Sequence, residues 1–214
     1  MDFSTYLPEW LAYVPEWRDY YLNHDQINHY KYLKDVLKAM QFIKGPKKWV
    51  LKSPQHLEQI PALLKTFPDA TFAITYRDPL SVVLSTATML SYGDRVRRYK
   101  VEPKNNFNYW QNRIQILLEK FTNDYKLIPS DQKIDIFFDE LIKDNLNSIK
   151  KIYSKNSLSF NNLANSEIRE YMNSNQRGKH GQVIYNLEDF NVDKLEFYQS
   201  FKFYFDTFDV LKET

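Results

Sequence analysis

Two cations, Lys52 and Arg77, occur in the same short pattern of a cation, a residue suited to capping a helix, and a proline. Lys52 follows the apolar run 48–51, and Arg77 follows the apolar run 71–76. Ser53 and Asp78 come next, and both residue types are preferred at helix N-caps, while proline fits the first helical turn. Each pattern therefore predicts a strand that leads through a cation into a helix.

The two patterns together predict one strand–helix–strand unit. Lys52 and Arg77 lie 25 residues apart, and such crossovers make the two strands parallel in nearly all proteins. Both cations would then lie at the carboxyl ends of parallel strands, beside helix N-termini, where open α/β sheets bind ligands and where anions are favoured. We expect Lys52 and Arg77 to share one anion site on adjacent strands.

A stripe of small hydroxyl residues follows Arg77 along its predicted helix. Ser81, Ser85 and Thr88 recur at helical spacing on one face. The planar guanidinium of Arg77 suits a phosphate, and a hydroxyl on the same helix can add a directional hydrogen bond. A second interpretation is structural, with ordinary capping and a helix that packs closely through small residues. The residues alone leave both interpretations open.

The composition is that of one globular domain, which we predict to span residues 1–214. The chain has 214 residues, a net charge of +2, 43% hydrophobic residues and no cysteine. The lack of cysteine excludes disulfides, zinc–thiolate sites and cysteine nucleophiles. No third ligand accompanies His24 and His29, so no metal site is predicted. We find neither a membrane span nor a basic secretory leader in the sequence and predict a cytoplasmic protein.

Residues 95–104 carry a basic run that contains Arg95, Arg97, Arg98, Lys100 and Lys104, with tyrosines interleaved. Such a pattern is typical of a weak nucleic-acid patch. A solvated surface is the favoured interpretation. The second interpretation is that the run lies beside a bound group donor or contacts an acidic acceptor molecule. No nucleic-acid partner is predicted.

The elements that must position these residues are three short strands within a largely helical chain. Strands are predicted at 48–51, 71–76 and 134–138. Helices are predicted over residues 6–43, 54–66 with an interruption at Pro61, 79–90, 107–128, 139–153, 165–175 and 193–208, with a loop over 176–190. The predicted fold class is α/β, a P-loop-like short parallel sheet flanked by many helices.

The segment from Trp49 to Ser85 resembles the central signature of the sulfotransferase superfamily. It is closest to the bacterial-type sulfotransferases and similar in layout to tyrosylprotein sulfotransferases. Those enzymes use 3′-phosphoadenosine 5′-phosphosulfate (PAPS) as donor, and an Arg and a Ser eight residues later hold its 3′-phosphate. Arg77 and Ser85 match that spacing. Weaker similarity extends over residues 17–43, 139–141 and 178–190.

The resemblance also implies roles for other residues. Lys52 is similar to the lysine that neutralises charge on the leaving group during sulfuryl transfer. A basic, glycine-containing loop covers the 3′-phosphate in related enzymes, which makes Arg177, Gly178 and Lys179 candidate donor contacts.

His56 is a candidate base for the acceptor's proton, because histidine titrates near neutral pH. It lies four residues after Lys52, whereas cytosolic sulfotransferases place a catalytic histidine two residues after a comparable lysine. A histidine on a helix surface is the alternative interpretation. The other candidate bases are ionisable residues nearer the start of the chain, namely Glu9, Glu16, His24 and Asp25.

One part of the family pattern has no counterpart in the sequence. The family opens with a strand and a P-loop-like turn around the 5′-phosphosulfate, which needs glycines so that backbone amides can converge. The four glycines here begin only at Gly45, and we expect the chain to start after that part of the family domain.

The expected function is transfer of a sulfuryl group from PAPS to a hydroxyl or amine acceptor, impaired by the missing loop. The acceptor and the oligomeric state are not predicted. Two alternatives remain, a non-catalytic remnant that binds PAP (adenosine 3′,5′-bisphosphate) or another adenine nucleotide, and a helical interaction protein.

Overall fold

The computed structural model describes residues 5–176, 178–179, 181 and 187–213. These residues form eleven α-helices and two β-strands. The helices are α1 Leu7–Leu11, α2 Pro15–Asn23, α3 Ile27–Lys44, α4 Ile60–Thr66, α5 Pro79–Asp94, α6 Pro103–Asp124, α7 Phe138–Lys143, α8 Asn145–Lys155, α9 Asn162–Ser174, α10 Lys194–Ser200 and α11 Lys202–Thr207. The strands are β1 Phe72–Tyr76 and β2 Lys133–Phe137, and 3₁₀ turns lie at Pro54–Glu58, Tyr125–Leu127, Ser130–Gln132 and Leu187–Phe190.

The chain divides into two compact units. The first comprises Met1–Ala70 and Gln115–Ile128, and the second comprises Thr71–Ile114 and Pro129–Thr214. Helix α6 runs from the second unit into the first. Lys52 and His56 belong to the first unit, whereas Arg77, Ser85, Gly178 and Lys179 belong to the second.

The first unit is helical and packs α3 against α4. Lys34 of α3 donates to the carbonyl oxygen of Thr66 at a distance of 2.7 Å and lies over the ring of Phe67. This contact satisfies a carbonyl at the C-terminus of α4, where a cation is favoured by the helix dipole. The buried apolar residues of the unit include Ile60, Leu63 and Phe121.

The second unit is built on β1 and β2, which pair in parallel with Phe72 opposite Lys133 and Tyr76 opposite Phe137. Tyr76 is 1% exposed. Its ring stacks on Phe137 and contacts Phe208, with both centroid separations at 4.9 Å. Tyr204 of α11 and Phe208, which follows that helix, therefore pack their rings against Tyr76 of the sheet.

The predicted strand at 48–51 is wrong. Residues 47–53 have no regular secondary structure, and the side chain of Val50 is 94% exposed. A strand is stable only where its backbone groups pair with a neighbour, and the described residues offer this segment none. The sheet of the described residues accordingly has two strands instead of three, and Lys52 and Arg77 do not lie on adjacent strands.

Several predicted helices are present but interrupted. Residues 6–43 form three helices, and Pro8 and Pro15 each stand in the first turn of one of them. The 3₁₀ turn ends at Glu58 and α4 begins at Ile60 with Pro61 in its first turn, so the predicted interruption is present at Gln59. The helix predicted over residues 139–153 is divided at Asp144 into two helices. The side chain of Asp144 caps α8 by accepting a hydrogen bond from the Asn147 amide. The strand predicted at 71–76 is confirmed as Phe72–Tyr76.

Candidate active site

Arg77 and Asp78 link the carboxyl end of β1 to the N-terminus of α5. Asp78 is fully buried, and its Oδ1 accepts a hydrogen bond from the Leu80 amide at 2.9 Å. Pro79 occupies the first turn of α5. The predicted sequence of cation, cap, proline and helix is therefore confirmed here, and it fixes the backbone from which Arg77 projects.

The second carboxylate oxygen of Asp78 ties this junction to the end of the chain. Asp78 Oδ2 accepts from the hydroxyl of Tyr198 at 2.8 Å and from the backbone amide of Glu213 at 2.9 Å. The ammonium group of Lys212 lies 4.2 Å from the centroid of the Tyr198 ring. Residues 209–213, which we call the C-terminal segment, are thereby held against the start of α5.

The guanidinium of Arg77 makes a two-point contact with a carboxylate of the C-terminal segment. Arg77 Nε and Nη2 each donate to one carboxylate oxygen of Glu213, both at 2.8 Å. The guanidinium carbon also lies 4.1 Å from the ring centroid of Phe138, the residue that follows β2. An arginine that stacks on a ring and presents its fork edge-on is suited to carboxylate or phosphate.

Ser85 lies nearly two turns into α5, roughly 9 Å along the axis from its first residue at 1.5 Å per residue. Its side chain is half-buried, between the buried Ser81 and the half-buried Thr88 on the same face. The predicted hydroxyl stripe is therefore present on a continuous helix that begins next to Arg77. Whether Arg77 and Ser85 bind one phosphate stays a prediction.

Lys52 lies in the irregular segment 47–53 and is exposed. No hydrogen bond or ion pair of its ammonium group is found among the described residues. Ser53 does not cap the following 3₁₀ turn with its side chain, contrary to expectation. Its carbonyl oxygen instead accepts from the His56 amide at 3.2 Å, which closes the turn through the backbone.

His56 is half-buried in the turn Pro54–Glu58, and its ring is held by a tyrosine of α3. Its Nδ1 lies 2.8 Å from the hydroxyl oxygen of Tyr30. Burial lowers the pKa of the His56 imidazole below its usual value, because desolvation disfavours the charged form. His56 is therefore a neutral, oriented imidazole at neutral pH.

Sequence reasoning missed the buried polar cluster around His56. Glu58 is fully buried, and Gln59 donates to the hydroxyl of Tyr21 at 3.3 Å. Burial, together with the charge of Glu58, raises the pKa of both Tyr21 and Tyr30, so both remain hydroxyls. The sequence does carry a signal for this buried polar cluster, because residues 55, 56, 58 and 59 are all polar in a segment that must pack against helices.

Gly178 and Lys179 follow α9 and are exposed. Gly178 has a φ of 83°, a conformation that favours glycine. The ammonium group of Lys179 donates to the carbonyl oxygen of Ser174 at 2.7 Å, so it caps the C-terminus of α9. Arg177 lies outside the described residues, and the role of this loop at the donor stays a prediction.

The described residues contain no group of three or more His, Asp or Glu side chains that could hold a metal ion. His24 and His29 lie side by side, with ring centroids 5.3 Å apart. Within the same part of the chain, no helix is long and apolar enough to cross a membrane.

Comparison with known proteins matches residues 1–162 to the profile described as "Sulfotransferase family". A search of curated proteins found no match. Among solved structures, sulfotransferase STF9 from Mycobacterium avium is similar, with a TM-score of 0.86 and 19% identity over 98% of this chain and 54% of that chain. Sulfotransferase STF1 from Mycobacterium tuberculosis H37Rv has a TM-score of 0.73 and 23% identity over 92% of this chain and 51% of that chain.

The structural similarity confirms the α/β fold, and the chain spans about half the length of the solved structures it matches.

Proposed function

Because the chain belongs to the sulfotransferase family, we propose that it binds PAPS and takes part in transfer of its sulfuryl group to a hydroxyl or amine. The observation that carries the proposal is the guanidinium of Arg77, which holds a carboxylate through two hydrogen bonds of 2.8 Å. The site at the carboxyl end of β1 thus already accommodates a planar anion. A phosphate oxygen pair makes the same kind of contact with arginine.

In this proposal Arg77 and Ser85 bind the 3′-phosphate of the donor. The rigid link from β1 through the Asp78 cap to α5 positions both, since Asp78 fixes the helix start and Ser85 projects from the helix nearly two turns later. Arg177, Gly178 and Lys179 are proposed as further donor contacts on the sequence resemblance alone.

Lys52 and His56 are proposed as catalytic residues. PAPS would supply an activated sulfuryl group whose transfer leaves negative charge on the departing PAP. A lysine ammonium neutralises such charge, and Lys52 is exposed and has no bonded partner among the described residues. Positioning and charge stabilisation dominate the closely related chemistry of phosphoryl transfer.

We also propose that these 214 residues bind PAP but transfer sulfuryl groups slowly. They contain no glycine before Gly45, so the turn that surrounds the 5′-phosphosulfate in the family has no counterpart in the first 44 residues. Calorimetric titration with PAP tests binding, and a transfer assay with radiolabelled PAPS tests turnover. PAP binding without turnover supports the nucleotide-binding alternative, and brisk turnover contradicts the proposed impairment. If PAP does not bind, both sulfuryl transfer and the nucleotide-binding alternative are contradicted.

A further inference from the structure

A directed chain of four hydrogen bonds ends on the ring of His56. It begins at the backbone amide of Leu7, which donates to the Thr5 hydroxyl at 3.2 Å. The Thr5 hydroxyl donates to Oε1 of Gln55 at 2.9 Å. The side chain of Gln55 donates to Tyr30, whose hydroxyl oxygen lies 2.8 Å from His56 Nδ1.

The direction of this chain follows from its donors and acceptors. The Leu7 amide can only donate to the Thr5 oxygen, and the Thr5 hydroxyl donates its proton to Oε1 of Gln55. This orients the Gln55 amide with its carbonyl oxygen toward Thr5 and its NH₂ group toward Tyr30. The Tyr30 oxygen then accepts from Gln55, and its own proton has Nδ1 of His56 as acceptor.

The protonation states of the last two members agree with this direction. Tyr30 is 5% exposed, and burial raises its pKa, so it keeps the proton that it donates. Burial lowers the pKa of His56, so the imidazole is neutral near pH 7. A neutral imidazole has one donor nitrogen and one acceptor nitrogen. Since Nδ1 accepts, the ring proton resides on Nε2.

We propose that Tyr30 is a positioning residue that fixes His56 in the Nε2–H tautomer, so that His56 offers the reacting groups a hydrogen-bond donor and not a base. The tautomer itself is independent of the proposed function, whereas the role of His56 in sulfuryl transfer rests on that function. A base would have to accept a proton at Nε2, which already carries one in the neutral ring. The proton of the acceptor leaves to a carboxylate or to water, and Nε2–H stabilises an oxygen that gains charge.

The Nε2 side of the ring is the side available for this role. His56 is half-buried, its Nδ1 is engaged by Tyr30, and no hydrogen bond of Nε2 is found among the described residues. Burial raises the pKa of Tyr21 and Tyr30, and the charge of the nearby buried Glu58 raises both further.

The tautomer is measurable by long-range ¹H–¹⁵N correlation spectroscopy on the 214-residue chain labelled with ¹⁵N-histidine, near pH 7.5. Comparison with His56→Gln identifies the His56 signals among the four histidines. We expect the protonated nitrogen to be Nε2 and the unprotonated nitrogen to be Nδ1. A protonated Nδ1 in the wild-type chain overturns the proposal without reference to turnover, so its failure is separate from failure of the sulfotransferase reaction.

Two substitutions at Gln55 test the direction of the chain. Gln55→Glu replaces the NH₂ donor by an acceptor, so the Tyr30 hydroxyl turns to the new carboxylate and His56 must donate from Nδ1. Gln55→Met removes the donor without adding an acceptor and should keep the Nε2–H tautomer. A switch to Nδ1–H in Gln55→Glu alone supports the proposal. The Nε2–H tautomer in both folded variants shows that Tyr30 does not set it.

Discussion

The carboxylate of Glu213 lies in the guanidinium fork of Arg77, with both hydrogen bonds 2.8 Å long. The predicted phosphate-binding arginine is therefore paired with an anion of its own chain. The two side chains are 33% and 25% exposed, so solvent screens the pair, and such pairs contribute about 0–1 kcal/mol. We expect a phosphate, which carries greater charge than a carboxylate, to displace Glu213 from Arg77.

The first prediction is that removing the charge of Glu213 strengthens PAP binding. Glu213→Gln should lower the Kd for PAP by about 2- to 5-fold, because about 0.5–1 kcal/mol of competing ion pair is lost. Isothermal titration calorimetry provides the measurement. Asp209→Asn is the matched control, because Asp209 is an exposed acid of the same segment with no ion pair among the described residues. Equal effects of both variants would indicate only a change of net charge.

The second prediction concerns the buried cap of α5. Asp78→Ala should lower the free energy of unfolding by about 2–4 kcal/mol, because it removes a helix cap and leaves two further donors without their acceptor. Asp144→Ala, which removes the exposed cap of α8, should lower it by only about 1 kcal/mol. Urea unfolding followed by circular dichroism compares the two. Similar losses would mean that Tyr198 and the Glu213 amide find other acceptors.

The third prediction uses the lowered pKa of His56. Between pH 6.5 and the lower pKa of the folded chain, the unfolded state binds a proton at His56 that the folded state does not. The wild-type chain should therefore lose stability, relative to His56→Gln, as the pH falls below about 6.5. Thermal melts between pH 8 and 5 measure the difference. The exposed His24 supplies the control, because His24→Gln should keep the pH dependence that originates at His56.

The sequence predicted β1, its cap and α5 because every signal there is local: an apolar run, an acidic cap and a proline within nine residues. The same kind of pattern failed at 48–51, because a strand needs a partner that local sequence does not reveal. The Arg77–Glu213 pair joins residues 136 positions apart, and only the folded chain brings them together. The contact between Tyr30 and His56 was equally invisible, since it joins residues 26 positions apart.

The affinity of PAP for variants of Arg77 and Ser85 tests whether these two residues form the 3′-phosphate site. Arg77→Ala should weaken PAP binding by about 2–4 kcal/mol, a loss of tens- to hundreds-fold. Arg77→Lys should recover part of the loss, because a point charge does not reproduce the fork. Ser85→Ala should weaken binding by about 1–2 kcal/mol.

Adenosine 5′-phosphosulfate, which lacks the 3′-phosphate, separates a lost contact from a folding defect, since a defect weakens both ligands alike. Calorimetric titration of this ligand and of PAP into wild type and Arg77→Ala is the deciding measurement. If Arg77 binds the 3′-phosphate, Arg77→Ala loses PAP affinity and binds adenosine 5′-phosphosulfate as wild type does. If Arg77→Ala and Ser85→Ala melt normally and bind PAP as tightly as wild type, Arg77 and Ser85 do not form the 3′-phosphate site.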